Sequence, residues 1–286
     1  MTSVQLGLPT RPLRIAAAQT ASVKGDIAAN VDQAAALIRR AADAGVRLVV
    51  FAELFLTGYE LDLIASDPAR YAVTLDDPRL APLAAACRET GTAAVVGAAT
   101  RDGSELYISA LLLAPSGEAV ARYDKQHLFG AEAEAFRPGG AGCTLELDGW
   151  RLGLGICYDS GFPEHARTAA LDGCHAYLVG ALFSKGGGRR QATVWFPARA
   201  LDNTVYTLLA NHVGRTGDWE TCGGSAIWRP DGELLAEAGP EETGLAIGDL
   251  DPDLLREVRV DLLMLSDIAG RDAAVASGPR TRQRLG

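Results

Sequence analysis

The sequence predicts an α/β domain of layered, mixed sheets, on three observations. Apolar and β-branched runs alternate with segments whose apolar residues recur at helical spacing, the pattern of strand–helix–strand units. Other apolar runs are joined only by turn signals, Asp102-Gly103, Pro115-Ser116-Gly117 and Pro230-Asp231-Gly232, so hairpins are mixed with the crossovers. The 286 residues are 48% hydrophobic and 22% charged, which supplies a large core. No linker, low-complexity stretch or short repeat divides the chain. One domain over 1–286 is expected, with its core at about 13–250 and a C-terminal extension over 251–286.

Residues 13–20 read as a first buried strand. Over 30–44 the residues Val31, Ala34, Ala35, Ile38 and Ala42 fall on one helical face, and Gly45 ends the pattern. A second apolar run occupies 47–51. A helix over 78–90 closes at Gly91, and strands follow at 93–100, 106–114 and 119–123. From Leu152 to Ile156 apolar and small residues alternate, as in a buried strand. It runs into Cys157, and Pro163 with Glu164 suits the first turn of a helix over 163–172. The remaining elements are a strand at 176–184, a helix at 189–202, strands at 205–213, 224–229, 234–238 and 245–249, and a short helix from Asp251-Pro252.

Composition narrows the function. A formal charge of -9 argues against a nucleic-acid partner, which requires a basic surface. Arg280, Arg282 and Arg284 do not reverse this and read as a frayed, solvated end. No apolar run approaches the ~20 residues of a membrane helix, and residues 1–12 lack the apolar core of a signal peptide. The five cysteines are scattered, without a C-x-x-C pair, so neither a disulfide frame nor a metal site is expected; a cytoplasmic protein without a cofactor is.

Four residues stand out. Cys157 lies at the strand-to-helix corner, where free backbone N–H groups favour a thiolate; its plain alternative is a buried structural cysteine. Glu53 ends an apolar strand between Phe51 and Leu54, or else caps a helix. Lys125 follows the third hairpin strand, or else is a solvated loop lysine, and Glu132 lies shortly after it, or else is a surface charge. Strand ends of one sheet open onto one rim, where Glu53, Lys125 and Cys157 are able to converge.

Taken together these residues resemble the nitrilase superfamily of carbon–nitrogen hydrolases. Ala52-Glu53-Leu54-Phe55-Leu56-Thr57-Gly58-Tyr59 is similar to that family's glutamate motif, with alanine where proline is usual. Tyr123-Asp124-Lys125-Gln126-His127-Leu128 is similar to its lysine motif, and Ile156-Cys157-Tyr158-Asp159 with Phe162-Pro163-Glu164 to its cysteine motif. The second glutamate of the family falls on Glu132, four before Phe136. The resemblance runs from about Leu13 to Asp249 and implies an αββα sandwich that pairs into a dimer. It also implies hydrolysis of a small aliphatic primary amide through a cysteine thioester. Glu53 would be the general base, Lys125 with the Tyr158 N–H the oxyanion support, and Glu132 a positioning group.

Tyr59, Tyr158 and Leu182 are the candidate substrate-binding residues. Tyrosine after the cysteine resembles amidase branches, and Cys222-Gly223-Gly224-Ser225 with His127-Leu128-Phe129-Gly130 is similar to amidases for linear ω-amino amides such as 5-aminopentanamide. N-carbamoyl-amine hydrolysis, nitrile hydrolysis and a non-catalytic binding protein on the same fold are the alternatives. A cysteine–histidine pair from His127, His165, His175 or His212, with Asn211 as orienter, is the competing mechanism. Lys185-Gly186-Gly187-Gly188 reads as a loop at the pocket mouth. Apolar residues on the helices over 163–172 and 189–202, among them Ala166, Ala169, Ala170, Leu171, Val194, Trp195, Phe196 and Leu201, exceed one buried stripe and suggest a homodimer contact.

Overall fold

The computed structural model describes residues 7–269 and 280–284. The first half holds β1 (Leu13–Gln19), α1 (Ile27–Asp43), β2 (Leu48–Val50), α2 (Leu61–Ser66), α3 (Pro68–Tyr71), α4 (Ala81–Thr90), β3 (Ala93–Asp102), β4 (Glu105–Leu113) and β5 (Ala119–Asp124). The short α5 (Glu132–Ala135) leads to β6 (Gly142–Leu147), β7 (Trp150–Ile156), α6 (Pro163–Leu171), β8 (Ala176–Ala181), α7 (Gly187–Asn203) and β9 (Tyr206–Asn211). Then come β10 (Arg215–Thr216), β11 (Trp219–Glu220), β12 (Ala226–Trp228), β13 (Leu234–Glu237), β14 (Gly244–Leu250), α8 (Pro252–Asp261), α9 (Met264–Ala269) and β15 (Arg280–Arg284).

Two mixed sheets form, in the orders β14-β1-β2-β3-β4-β5 and β13-β12-β9-β8-β7-β6-β15. Parallel triplets, β1-β2-β3 and β7-β8-β9, lie within them; antiparallel strands complete the first sheet, and the second adds antiparallel β12, β13 and β6 with β15 parallel to β6 at its edge. Side-chain alternation then assigns the layers. On β1, Leu13, Ile15 and Ala17 join Leu152, Leu154 and Leu178 of the second sheet in the central core. Ala16 and Ala18 point the other way, with Ile38 of α1 and Leu83 of α4. On β8, Tyr177, Val179 and Ala181 face outward with Ala166 of α6 and Phe196 of α7. The result is the expected αββα sandwich. Among the described residues no helix is long and apolar enough to cross a membrane.

Local chemistry fixes the elements. The Asp26 carboxylate accepts from Ala29 N at the start of α1, 3.0 Å. Gly91 ends α4 in the left-handed conformation, φ 67°. The sequence reading missed β6, whose short run carries Glu146. It also missed α2 and α3, too short for a helical period to show, and began β7 two residues late. The 222–225 stretch is not strand, because Gly223 and Gly224 hold positive φ and β12 starts at Ala226. The 176–184 run stops being strand at Ala181, where the chain turns to line the site.

The extension departs most from expectation. Arg282 and Arg284 are not frayed: β15 pairs parallel with β6, Arg282 bonds Asp172 at 3.2 Å and Arg284 bonds Glu146 at 3.1 Å. Backbone pairing satisfies this segment where side-chain pattern gave no hint. The apolar surplus of α6 is also absorbed within the chain, since Ala166, Ala169 and Ala170 are buried in the outer core.

Two glycines locate the loop after β2. A Cβ on Gly97 of β3 would lie 2.0 Å from the Ala52 carbonyl oxygen and 2.9 Å from Glu53 Cα. A Cβ on Gly180 of β8 would lie 2.4 Å from the Phe51 carbonyl oxygen. One glycine from each sheet therefore lets the Phe51–Glu53 backbone pass at contact distance. Gly97→Ala should cost about 1–3 kcal/mol in denaturant unfolding and displace Glu53, lowering activity. Gly140→Ala, where a Cβ meets nothing within 4 Å, is the control and should do neither.

Candidate active site

The polar residues converge between the sheets, not on one sheet's rim as the sequence suggested. Glu53 follows β2 and Lys125 follows β5, both in the first sheet; Cys157 follows β7 in the second. Their neighbours lie across the sandwich, so facing ends bring them together. Lys125 N still bonds Ile108 O at 2.8 Å, which extends the edge of β5 by one residue and fixes the lysine.

Glu53, Lys125 and Glu132 are all buried, which rules out solvated or surface readings for them. Lys125 Nζ donates to Glu53 Oε1 at 2.6 Å and to Glu132 Oε1 at 2.7 Å. The Tyr59 hydroxyl donates to Glu132 Oε1 at 2.5 Å and Phe129 N to Glu132 Oε2 at 2.7 Å. Both oxygens of Glu132 are thus engaged. Glu53 Oε2 is buried with no hydrogen-bond partner among the described residues. Neutral His212 donates from Nε2 to the Glu53 carbonyl oxygen at 2.6 Å; burial lowers its pKa to about 4.

These charges are mutually dependent. The Glu53 pKa is raised to about 7: burial pushes it up most, Lys125 pulls it down and Glu132 pushes it up. Burial works against the Lys125 charge, but Glu53 and Glu132 hold its ammonium charged well above the ordinary range. Burial, then the Glu53 charge, push the Cys157 thiol well above its ordinary pKa. The sequence expectation of a favoured thiolate therefore fails. The corner supplies N–H groups, but the two carboxylates oppose a third negative charge. The resting sulfur is a thiol beside a carboxylate poised near pH 7, a pair able to exchange a proton.

Cys157 opens a turn, Cys157–Gly161, with φ 43°, a conformation rare outside glycine. Asp159 holds it there. Asp159 Oδ2 accepts from Ile156 N at 3.0 Å and from the Tyr123 hydroxyl at 2.7 Å. Asp159 Oδ1 accepts from His127 N and His127 Nδ1, each at 2.9 Å. One buried carboxylate so ties the cysteine turn of the second sheet to the lysine loop of the first. Its pKa stays low despite burial because His165, His127, Tyr123 and Ile156 N favour the anion. His165 is hydrogen-bonded to Tyr123 and Tyr177, 2.8 Å each, and His127 stacks on Phe162 at 3.9 Å. Each histidine proposed as a base therefore has a partner other than the thiol.

A cavity of about 240 Å³ opens beside Cys157. The Cys157 thiol donates to the Leu182 carbonyl oxygen at 3.5 Å, and Tyr59, Tyr158 and Leu182 all line the cavity. Gly187 and Gly188 line it as the first residues of α7, where a loop was expected before a helix starting at 189. Phe129, Phe183, Gln191, Trp195 and Trp219 also line it, and sequence reasoning named none of them as substrate contacts. Gln191 and Trp195 share a helical face with Gly187 at four-residue spacing. That signal was present, but only the fold shows the face to be a pocket wall.

The sequence profile of the carbon–nitrogen hydrolases matches residues 14–260. The chain belongs to that family. It is 33% identical to an (R)-stereoselective amidase of Pseudomonas sp., over 89% of this chain and 91% of that protein. It is 34% identical to a nitrilase of Pyrococcus abyssi, over 81% and 87% of the two chains. An amidase from Nesterenkonia sp. superposes with a TM-score of 0.77 at 33% identity, covering 90% of this chain and 98% of that one. In that amidase a cysteine-to-alanine variant binds butyramide, and a glutamate-to-glutamine variant carries acrylamide added to the active-site cysteine.

Asp159→Asn tests the tie between the sheets. All four groups that meet the Asp159 oxygens are donors, so an amide NH2 must face one of them. Unfolding free energy should fall by about 1.5–3 kcal/mol, and kcat by about 10² through misplacement of the thiol. Denaturant melts and steady-state kinetics measure the two effects.

Proposed function

We propose that this protein hydrolyses small aliphatic primary amides to carboxylic acid and ammonia, with Cys157 as nucleophile. The observation that carries the reading is the buried Lys125 ammonium shared by Glu53 and Glu132 beside a thiol at the end of a small cavity. The butyramide complex of the Nesterenkonia amidase supports the substrate class.

In the proposed sequence Glu53 takes the Cys157 proton as sulfur attacks the amide carbon. Charge developing on the amide oxygen meets Lys125, which has two of its three N–H donors already committed, and the Tyr158 N–H. Glu53 returns the proton to nitrogen, the C–N bond breaks and ammonia leaves a thioester. Water then gives a proton to Glu53 as its oxygen attacks the thioester carbon; the C–S bond breaks and Cys157 regains its proton. Glu132, fixed by Tyr59 and Phe129, holds Lys125 in line. No step draws on a metal or cofactor.

An ammonia-release screen over primary amides, N-carbamoyl amines and nitriles is the first test, and should favour the amides. Cys157→Ala should be inactive. Glu53→Gln should lower kcat by at least ~10². In the wild type, kcat/KM should fall as pH drops through about 7, because the base is protonated below its raised pKa. That midpoint belongs to the coupled cluster. A flat profile between pH 6 and 8 in the wild type, or an active Glu53→Gln, would refute the role of Glu53.

We also propose a homodimer through the outer face of α7. Val194 and Leu201, one heptad apart on that helix, are 57% and 41% exposed. Light scattering at micromolar concentration should give about twice the 30.0 kDa chain mass. Val194→Glu with Leu201→Glu should return a monomer.

A further inference from the structure

We infer that the first two turns of α7, with the aromatic rings opposite, select the acyl group: the enzyme takes amides whose acyl chain is apolar along these walls and carries no anionic group. The inference rests on the amidase reading above.

Three observations carry it. First, the walls are hydrocarbon. Phe129, Tyr158, Leu182, Phe183, Trp195 and Trp219 line the cavity beyond Cys157. Their rings brace one another: Phe129 meets Tyr158 edge-on at 5.2 Å, and Phe183 meets Trp195 at 5.9 Å. Trp195 is also seated against Gly161, where a Cβ would lie 3.0 Å from the indole. Such walls reward apolar burial and give a charged group little to bond.

Second, the charge is unfavourable to an anion. Among the described residues lining the cavity none is Lys, Arg or His; the polar side chains are Glu53, Tyr59, Tyr158, Ser184 and Gln191. With Glu53 ionised, Glu53, Glu132 and Lys125 together carry one net negative charge. Opposing this are the start of α7, whose N–H groups amount to about half a positive charge, and Arg189 and Arg190 of its first turn, neither of which lines the cavity. Glu53 itself lines the cavity beside Cys157, so the negative unit meets the acyl group directly, while no cation is among the described lining residues. Lys185, next in the chain to the lining Ser184, is bound to Glu220 at 2.7 Å and Glu241 at 3.5 Å.

Third, the depth is set by an absence of side chain. Gly187, Gln191 and Trp195 follow one another at four-residue spacing on the lining face of α7. A Cβ on Gly187 would meet nothing within 4 Å, so this position borders open space. Its φ is not positive, so a side chain is tolerated by the backbone. Gly187 is thus the place where the chain length of the acyl group is decided.

The test compares hexanamide with adipamate, its carboxylate-tipped counterpart, and with propanamide, by ammonia release from the full-length enzyme. Hexanamide should exceed adipamate at least 100-fold in kcat/KM. Gly187→Leu should lower the hexanamide-to-propanamide ratio at least tenfold, and Gln191→Arg should raise the adipamate-to-hexanamide ratio at least tenfold. Comparable turnover of adipamate and hexanamide by the wild type overturns the inference and leaves the amidase reading intact. So do ratios unchanged in both variants, each shown folded by its circular dichroism spectrum. Ammonia from none of the three amides overturns the amidase reading, and this inference with it.

Discussion

The structure depends on one buried ammonium. Lys125 has no solvent to turn to, and its charge persists only because Glu53 and Glu132 each accept a hydrogen bond from it. Removing one partner from a buried ion pair typically costs about 3–5 kcal/mol, so the three residues stand or fall together. Two carboxylates on one ammonium also leave an excess negative charge. That excess, added to desolvation, brings Glu53 near pH 7 and keeps Cys157 protonated. A buried cluster stabilised this way supplies a base and a cation in one place.

Holding the cluster takes contributions from both halves of the sandwich. Gly97 and Gly180 let the backbone before Glu53 lie between β3 and β8 at contact distance. Asp159 ties the cysteine turn to the lysine loop through four accepted hydrogen bonds, and holds Cys157 at a positive φ that it would not otherwise adopt. The central core, with Leu13, Ile15, Leu152 and Leu154 from facing strands, sets the spacing on which these contacts rely. Chemistry at the sheet ends is therefore a consequence of core packing between the sheets.

The cavity divides into two environments within a few residues. At one end charged groups are held dry by protein; at the other, rings from α7, from the loop before α5 and from the β10–β11 hairpin form an apolar enclosure. In the proposed reading the first environment governs how an amide is cleaved and the second which amide enters. They lie on different elements, so the second is free to vary without disturbing the first.

The sequence by itself determined the layered architecture and the identity of the cluster. Side-chain alternation in 13–20 and 152–156 assigns faces because a strand has a period of two, and the motifs around Glu53, Lys125, Glu132 and Cys157 are local strings. It did not determine β6 or β15, whose backbone pairing leaves little mark on side-chain pattern. Protonation was beyond it as well. Strand-to-helix geometry favoured a thiolate, but the pKa of Cys157 is raised by burial and then by Glu53 and Glu132, residues 104 and 25 positions away in the chain. The pocket walls were hidden for the same reason: Trp195 and Trp219 meet Phe129 and Tyr158 around one cavity only after two sheets have packed. Local pattern records what a residue is; desolvation and charge pairing depend on what distant segments bring beside it.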